Sequence, residues 1–203
     1  MRRRVGQRAV IAGALVSASV LFAGCGPAPW TADQPDPTPS ASVSVAPPVP
    51  NDLSSGSTER ELTAGAVSAQ VDYWSTLSMD RWSAGAIKPI SISLVTTVTP
   101  DDGQKVYLQK ASMIVTPANA DETFAPIEAQ VDASSVAPGY LVLKPYSYSQ
   151  TFNVGPVDET ATYVTVQFSY DFLVQTTPTS KEYAKQTATD TLTVAIAQHA
   201  DAE

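Results

Sequence analysis

The chain has 203 residues, of which 43% are hydrophobic and 16% are charged, and its formal net charge is −8. This length fits one domain of ordinary size with additional terminal segments. An acidic surface repels phosphate backbones and anionic lipid headgroups, which argues against nucleic-acid binding and against membrane attachment through a basic face. The single cysteine excludes an intramolecular disulfide, and the single histidine, His199, lies too close to the C-terminus to favour a histidine-based catalytic triad.

The first 24 residues have the organisation of an export signal. Residues 1–8 contain four arginines and no acidic residue, and residues 9–23 form an uncharged, mostly apolar run of 15 residues. A helix of this length would measure about 22 Å, which is shorter than the ~30 Å hydrocarbon core of a bilayer. We therefore expect a signal helix that is removed. Its removal would leave 8 basic and 20 acidic side chains, a net charge of −12.

The only cysteine follows this run directly, in the sequence Phe22-Ala23-Gly24-Cys25. This stretch resembles the bacterial lipobox, in which a large apolar residue and two small residues precede the cysteine that is modified. The resemblance implies cleavage between Gly24 and Cys25 and a diacylglyceryl group on the Cys25 sulfur. Phe22 departs from the pattern, which usually has leucine at this place. The expected protein is attached to the cell membrane through a lipid on Cys25 and faces the extracytoplasmic side.

Residues 25–57 are the predicted tether between this anchor and a folded domain. Within residues 26–57 lie eight of the sixteen prolines and eight serines or threonines, and no apolar period is visible. A segment of this composition cannot bury enough apolar surface to fold, so we expect a disordered linker. It would reach about 100 Å as a polyproline helix and about 30 Å as a flexible coil.

From residue 58 the apolar residues recur with a period of two, which is typical of half-buried β-strands. The strongest strand is ATYVTVQFSYDFLV, where Val164, Val166 and Phe168 alternate with polar residues. Residues 119–138 show no clear pattern, a short helical turn is expected at Thr76–Trp82, and a brief cap or turn is expected at Lys181–Lys185. The predicted strands lie near residues 66–74, 89–98, 105–115, 139–143, 150–154, 161–174 and 190–197.

About seven short strands in residues 58–203 predict an all-β fold, an antiparallel immunoglobulin-like β-sandwich. The segment Glu159–Tyr163 resembles the tyrosine corner of immunoglobulin-like and fibronectin-type domains, which implies that Tyr163 hydrogen-bonds to the backbone at the start of the long strand. The succession of signal, lipobox, tether and β-rich domain resembles small lipoproteins of actinobacteria. That resemblance implies an architecture and no defined activity.

Two aromatic clusters are candidates for a binding surface. The first has two tryptophans, an aspartate and an arginine within nine residues, and its indole rings could stack on a sugar ring or a partner. The second has three tyrosines near predicted strand ends, and aromatic residues are enriched at interfaces. Both clusters could equally be packing residues, because such side chains are commonly buried. The candidate residues are Trp74, Asp80, Arg81 and Trp82, and Tyr140, Tyr146 and Tyr148.

No residue pattern identifies a reaction, and we expect no metal, no cofactor and no catalytic residues. Asp101-Asp102-Gly103 is typical of a hairpin turn, whereas a Ca²⁺ site requires six to eight oxygen ligands. The leading hypothesis is a non-catalytic envelope lipoprotein that binds an envelope protein or assists transport or wall assembly. One alternative is a carbohydrate- or cell-wall-binding module that uses exposed aromatic residues. Another is an extracytoplasmic hydrolase that uses two carboxylates.

Overall fold

The structure is a computed structural model that describes residues 49–198. The signal segment, Cys25, most of the tether and His199 lie outside the described residues. A short 3₁₀ helix, Met79–Arg81, lies between the second and third strands. The strands are β1 (Ser57–Ala64), β2 (Val67–Trp74), β3 (Lys88–Val98), β4 (Val106–Ala118), β5 (Ile127–Ala133), β6 (Tyr140–Leu141), β7 (Tyr148–Val154), β8 (Tyr163–Gln175) and β9 (Tyr183–Ala195).

The strands form two antiparallel sheets, which confirms the predicted all-β sandwich. Sheet A has the order β1-β2-β3-β7, and sheet B has the order β5-β4-β8-β9 with β6 also paired to β4. In the lettering used for immunoglobulin domains, sheet A contains strands A (β2), B (β3) and E (β7). Sheet B contains strands C′ (β5), C (β4), F (β8) and G (β9). This arrangement is that of an immunoglobulin-like sandwich, to which β1 adds an edge strand.

The core lies between the inner faces of the two sheets. On β8 the alternate residues Val164 to Val174 point inward, and on β2 the inward residues Val67, Ala69, Val71 and Tyr73 are buried. Such alternation arises because successive side chains of a strand point to opposite faces. Phe168 packs in the middle of this core, with ring centroids 5.2 Å from Tyr73 and 5.8 Å from Phe152.

Polar groups close both open sides of the sandwich. On one side Asp52 accepts hydrogen bonds from the Arg60 guanidinium and from the Thr193 amide, each at 2.8 Å, and so connects β1 to β9. On the other side the Gln130 carboxamide bonds to both the amide and the carbonyl of Asn153, and so connects β5 to β7. These contacts occupy strand-edge groups that would otherwise be free to pair with another chain.

The sequence predictions differ from the structure at several places. The packed unit begins before residue 58, because Leu53 is buried in the core and Asp52 contacts β9. β1 was not predicted, and β5 lies in the segment without a clear pattern. The cap or turn predicted at Lys181–Lys185 is not found from Tyr183 onward, since Tyr183 begins the long strand β9. A turn is found at Asp101 to Gly103, with Gly103 at φ 90° and its amide donating to Asp101 Oδ1 at 3.0 Å. The predicted hairpin is wrong, because β3 and β4 on either side of this turn lie in different sheets.

Tyr163 lies at the start of β8, as the resemblance to the tyrosine corner implies. Within residues 49–198, however, its hydroxyl makes no hydrogen bond to the backbone. The ring instead lines an open depression with Val49, Pro50 and Thr193, where the chain enters the domain. The hydrogen bond expected from the resemblance is therefore not found in the described part of the chain.

Candidate functional site

The two tryptophans of the first aromatic cluster have different environments. Trp82 is fully buried, and its Nε1 donates to Ser75 Oγ at 3.1 Å. Trp82 therefore belongs to the core, and its prediction as a binding residue is wrong. Trp74 is partly exposed on the outer face of β2, while Asp80 and Arg81 are exposed in the 3₁₀ helix.

The tyrosine cluster is in part a structural contact between the sheets. Tyr148 is buried, its ring lies 5.3 Å from that of Tyr140, and its hydroxyl donates to Asp132 Oδ2 at 2.7 Å. Burial and the bond to Asp132 raise the pKa of Tyr148 above its ordinary value. Because Tyr148 joins β7 to β5, its prediction as a surface residue is wrong, whereas Tyr140 and Tyr146 are exposed.

The outer face of sheet A brings together groups that are far apart in the sequence. Strand register places Trp74 between Ser57 and Ser91, in one row across the sheet. The next row along the strands has Asp72 directly between Glu59 and Ser93. The remaining outward positions on this face are filled mainly by hydroxyl, amide and carboxylate side chains. They are Ser149, Thr151 and Asn153 on β7, and Glu61, Thr63, Ser68, Gln70, Pro89, Val95 and Thr97 on the other strands.

Two depressions lie on this face. The larger has a volume of about 390 Å³, and Lys144 walls it where the chain after β6 pairs with Thr96 of β3. Its other lining residues include Glu59, Glu61 and Gln70. The smaller has a volume of about 240 Å³ and is lined by Trp74 together with residues of β3 and β7.

Hydrogen bonds hold the polar side chains of this face in place. Gln70 Nε2 donates to Glu59 Oε1 at 2.7 Å, and Ser68 Oγ donates to Glu61 Oε1 at 2.8 Å. The hydroxyls of Ser91 and Thr151 are bonded to each other at 2.8 Å. Such pairs between neighbouring strands restrict the rotamers of the groups that a ligand would meet.

The Glu59–Asp72 pair is electrostatically unfavourable. These two carboxyl groups occupy directly opposed positions on β1 and β2. Asp72 is exposed, and slight desolvation together with the neighbouring Glu59 raises its pKa above the ordinary value of 3.8. Like charges directly opposite in a sheet are destabilising, so this pair weakens β1–β2 pairing at pH 7.

The sequence identified Trp74 but missed the acidic part of this face. Glu59, Glu61 and Gln70 lie on β1 and β2, and β1 was assigned to no element. The signal was present in STERELTA, where Thr58, Arg60 and Leu62 alternate with exposed residues. Arg60 masked the alternation, because it is a charged residue at an inward position of the strand. Its side chain extends to the open side of the sandwich, where it pairs with Asp52.

Within residues 49–198 there is no group of three or more His, Cys, Asp or Glu side chains arranged to hold a metal ion. No helix in this part of the chain has the length and hydropathy that a membrane crossing requires. A scan against protein-family models finds no matching family. A search of curated proteins finds no significant match.

Proposed function

We propose that this protein is a lipid-anchored component of a bacterial cell envelope, which displays its β-sandwich outside the membrane as a non-catalytic binding module. The observation that carries this proposal is the position of the only cysteine, Cys25, in a lipobox-like sequence directly after an apolar segment. A thiol needed only for packing could lie anywhere in the chain. Two acyl chains on this sulfur would provide stable attachment.

The arrangement of the folded unit supports this proposal. Packing begins at Asp52 and Leu53, so 26 residues separate Cys25 from the domain. A segment of this length spans at most about 90 Å when fully extended. The domain would therefore stay close to the membrane, within reach of other envelope components.

The proposal is tested by mass spectrometry of the mature N-terminus. The full chain is expressed in a bacterium that processes lipoproteins, and the expected product begins at Cys25 and carries a diacylglyceryl group. The variant Cys25→Ser should stay unprocessed and carry no lipid. A matched control combines Cys25→Ser with Ser42→Cys, which moves the thiol into the tether and should also carry no lipid. An unmodified Cys25 in the wild-type protein contradicts the anchor.

Location is tested separately by adding protease to intact spheroplasts. Degradation of the β-sandwich without lysis is the expected result, because the domain lies on the outer side. Protection of the domain until the cells are lysed contradicts the extracytoplasmic location.

A further inference from the structure

We propose that the outer face of sheet A binds a neutral, linear glycan, with Trp74 stacking on one sugar ring and the carboxylate and amide groups of β1 and β2 bonding to sugar hydroxyls. This inference rests on the proposed function, because it names the ligand class of the displayed module. It places the ligand on a face that includes Glu59, Glu61 and Gln70.

Trp74 supplies the apolar contact. It is the one aromatic residue on the outer face of sheet A within the described residues, and it is partly exposed. The depression beside it is bordered by Ser149 and Thr151. A flat apolar ring surrounded by hydroxyl groups suits the mixed apolar and polar surface of a sugar, since an indole offers a large contact area with few rotatable bonds.

The larger depression supplies directed hydrogen bonds. Its carboxylates are acceptors only, so they match ligand hydroxyls that donate. Glu59 and Glu61 are already held by Gln70 and Ser68, each of which bonds to one carboxylate oxygen. Groups fixed before binding lose less conformational entropy when the ligand arrives.

The length of the face indicates an oligosaccharide. Gln70 of the larger depression and Trp74 of the smaller one are four residues apart on β2, a spacing of about 13 Å along the strand. Asp72 and Ser93 lie between them, so polar groups continue from one depression to the other. A ligand that contacts both depressions must therefore have several sugar units.

The opposed carboxyl groups of Glu59 and Asp72 give an independent reason to assign a function here. They destabilise the pairing of β1 with β2, and no lysine or arginine forms a salt bridge with either within residues 49–198. Local conflicts of this kind are expected at functional sites, where binding compensates for lost stability. Glu59 lines the larger depression and Asp72 lies on β2 between Gln70 and Trp74, so a ligand that contacts both depressions would cover the pair.

Charge and shape decide between the possible occupants. Glu59, Glu61 and Asp72 oppose a single lysine, Lys144, so phosphate-rich polymers would be repelled. A peptide would need an open strand edge or apolar pockets, and this face offers the interior of a sheet with only Trp74 and Val95 as large apolar side chains. A neutral glycan meets neither obstacle.

Titration calorimetry of the purified full-length chain in detergent tests the proposal. The probes are linear tetrasaccharides of glucose, mannose, galactose and N-acetylglucosamine, with octalysine as a cationic peptide. We expect at least one tetrasaccharide to bind with a Kd below about 1 mM. Trp74→Ala should weaken this binding by about tenfold or more, and Trp74→Phe should keep most of it.

The matched control is Tyr107→Ala, which removes a partly exposed aromatic residue from the outer face of sheet B, where Tyr107 packs edge-on against Tyr183. This variant should bind as the wild type does. The proposal is overturned if no tetrasaccharide binds, if folded Trp74→Ala binds normally, or if only octalysine binds. Because the purified protein is assayed without a membrane, these results do not depend on whether Cys25 carries a lipid.

Discussion

Lys88 shows how one side chain can hold a loop at the end of the sandwich. Its Nζ is buried and lies within hydrogen-bond distance of four backbone carbonyl oxygens, which share its three N–H donors. These belong to Ala86 at 2.6 Å, Gly155 at 2.9 Å, Ser83 at 3.2 Å and Ala84 at 3.3 Å. The ammonium thus joins the segment before β3 to the end of β7, and it satisfies carbonyl groups that the sheets do not use.

We predict that Lys88→Met destabilises the protein by on the order of 3 kcal/mol, because it leaves several buried carbonyls without a donor. The measurement is the free energy of unfolding from urea titrations at pH 7. The control is Lys105→Met, since Lys105 is exposed and its replacement should change stability by less than about 0.5 kcal/mol. Equal effects of the two variants would show that the four bonds contribute nothing.

The contribution of Lys88 to the free energy of unfolding also depends on pH. Burial lowers the pKa of Lys88 from 10.5 to about 8. Between these values the unfolded chain binds more protons than the folded protein, so this group raises stability as the pH increases. The difference in stability between wild type and Lys88→Met should therefore grow from pH 7 to pH 9.5. A difference that shrinks over this range contradicts the lowered pKa.

At the residue scale, sequence patterns identified residue types better than their environments. Trp74 and Trp82 lie in one stretch of mixed composition, and only the fold shows that one faces outward and the other is covered. Lys88 gave no signal, because a lysine at the start of a strand is normally exposed. The carbonyl groups that accept from it belong to residues 83, 84, 86 and 155. Burial that depends on distant segments cannot be read from local periodicity.

At the scale of strands, Asp171 of β8 connects the three neighbouring strands β4, β8 and β9 on the outer face of sheet B. The side chain is almost fully buried, with Lys110 Nζ of β4 at 3.2 Å and Lys185 Nζ of β9 at 3.0 Å. Thr187 Oγ1 also donates to it at 2.8 Å. Burial alone would raise the pKa of Asp171, but the bonds from Thr187 and the two lysines hold it below its ordinary value of 3.8.

We predict that Asp171→Asn destabilises the protein by about 1–2 kcal/mol at pH 7, a modest value because both lysines are about half exposed to solvent. A folded-state pKa below 3.8 means that the stabilisation is present above pH 3.8 and is lost as the pH falls. The difference between wild type and Asp171→Asn should therefore decrease on acidification from pH 5 to pH 2. Urea midpoints over this range measure it, with the exposed Glu128→Gln as the control. A difference that is constant with pH contradicts the ion-pair explanation.

The strands that the sequence predicted correctly are those with one buried and one polar face, such as β2, β3 and β8. Prediction failed for strands whose inward residues are polar. On β1 the inward position is Arg60, and on β5 the inward positions include Gln130 and Asp132, which bond across the gap between sheets. These side chains close the sides of the sandwich, so their polarity has a structural cause that a period-two pattern of apolar residues does not detect.

At the scale of the whole molecule, buried phenol groups link the two sheets. Tyr170 of β8 donates to the Tyr73 hydroxyl of β2 at 3.1 Å in the centre of the core, and Tyr148 of β7 bonds to Asp132 of β5. Burial raises the pKa of all three tyrosines above the ordinary value of 10.0. Ionisation of these groups is therefore unfavourable in the folded sandwich.

This arrangement predicts cooperative unfolding in alkali. A folded pKa above 10.0 means that the tyrosines stabilise the fold fully below pH 10 and that this contribution is lost as the pH rises further. Three such groups would reduce the free energy of unfolding by up to about 4 kcal/mol per pH unit above pH 10. Urea midpoints between pH 9 and pH 11.5 measure this slope.

The double variant Tyr73→Phe/Tyr170→Phe should show roughly a third of the wild-type slope, because only Tyr148 then retains a buried hydroxyl. The control Tyr146→Phe removes a hydroxyl from a side chain that is 57% exposed, so its slope should equal that of the wild type. Lys88 acts in the opposite direction up to pH 10.5, so the slopes are compared between pH 10.5 and pH 11.5. If the double variant and the wild type lose stability equally fast, alkaline unfolding begins at another group, and the core tyrosines do not couple the sheets.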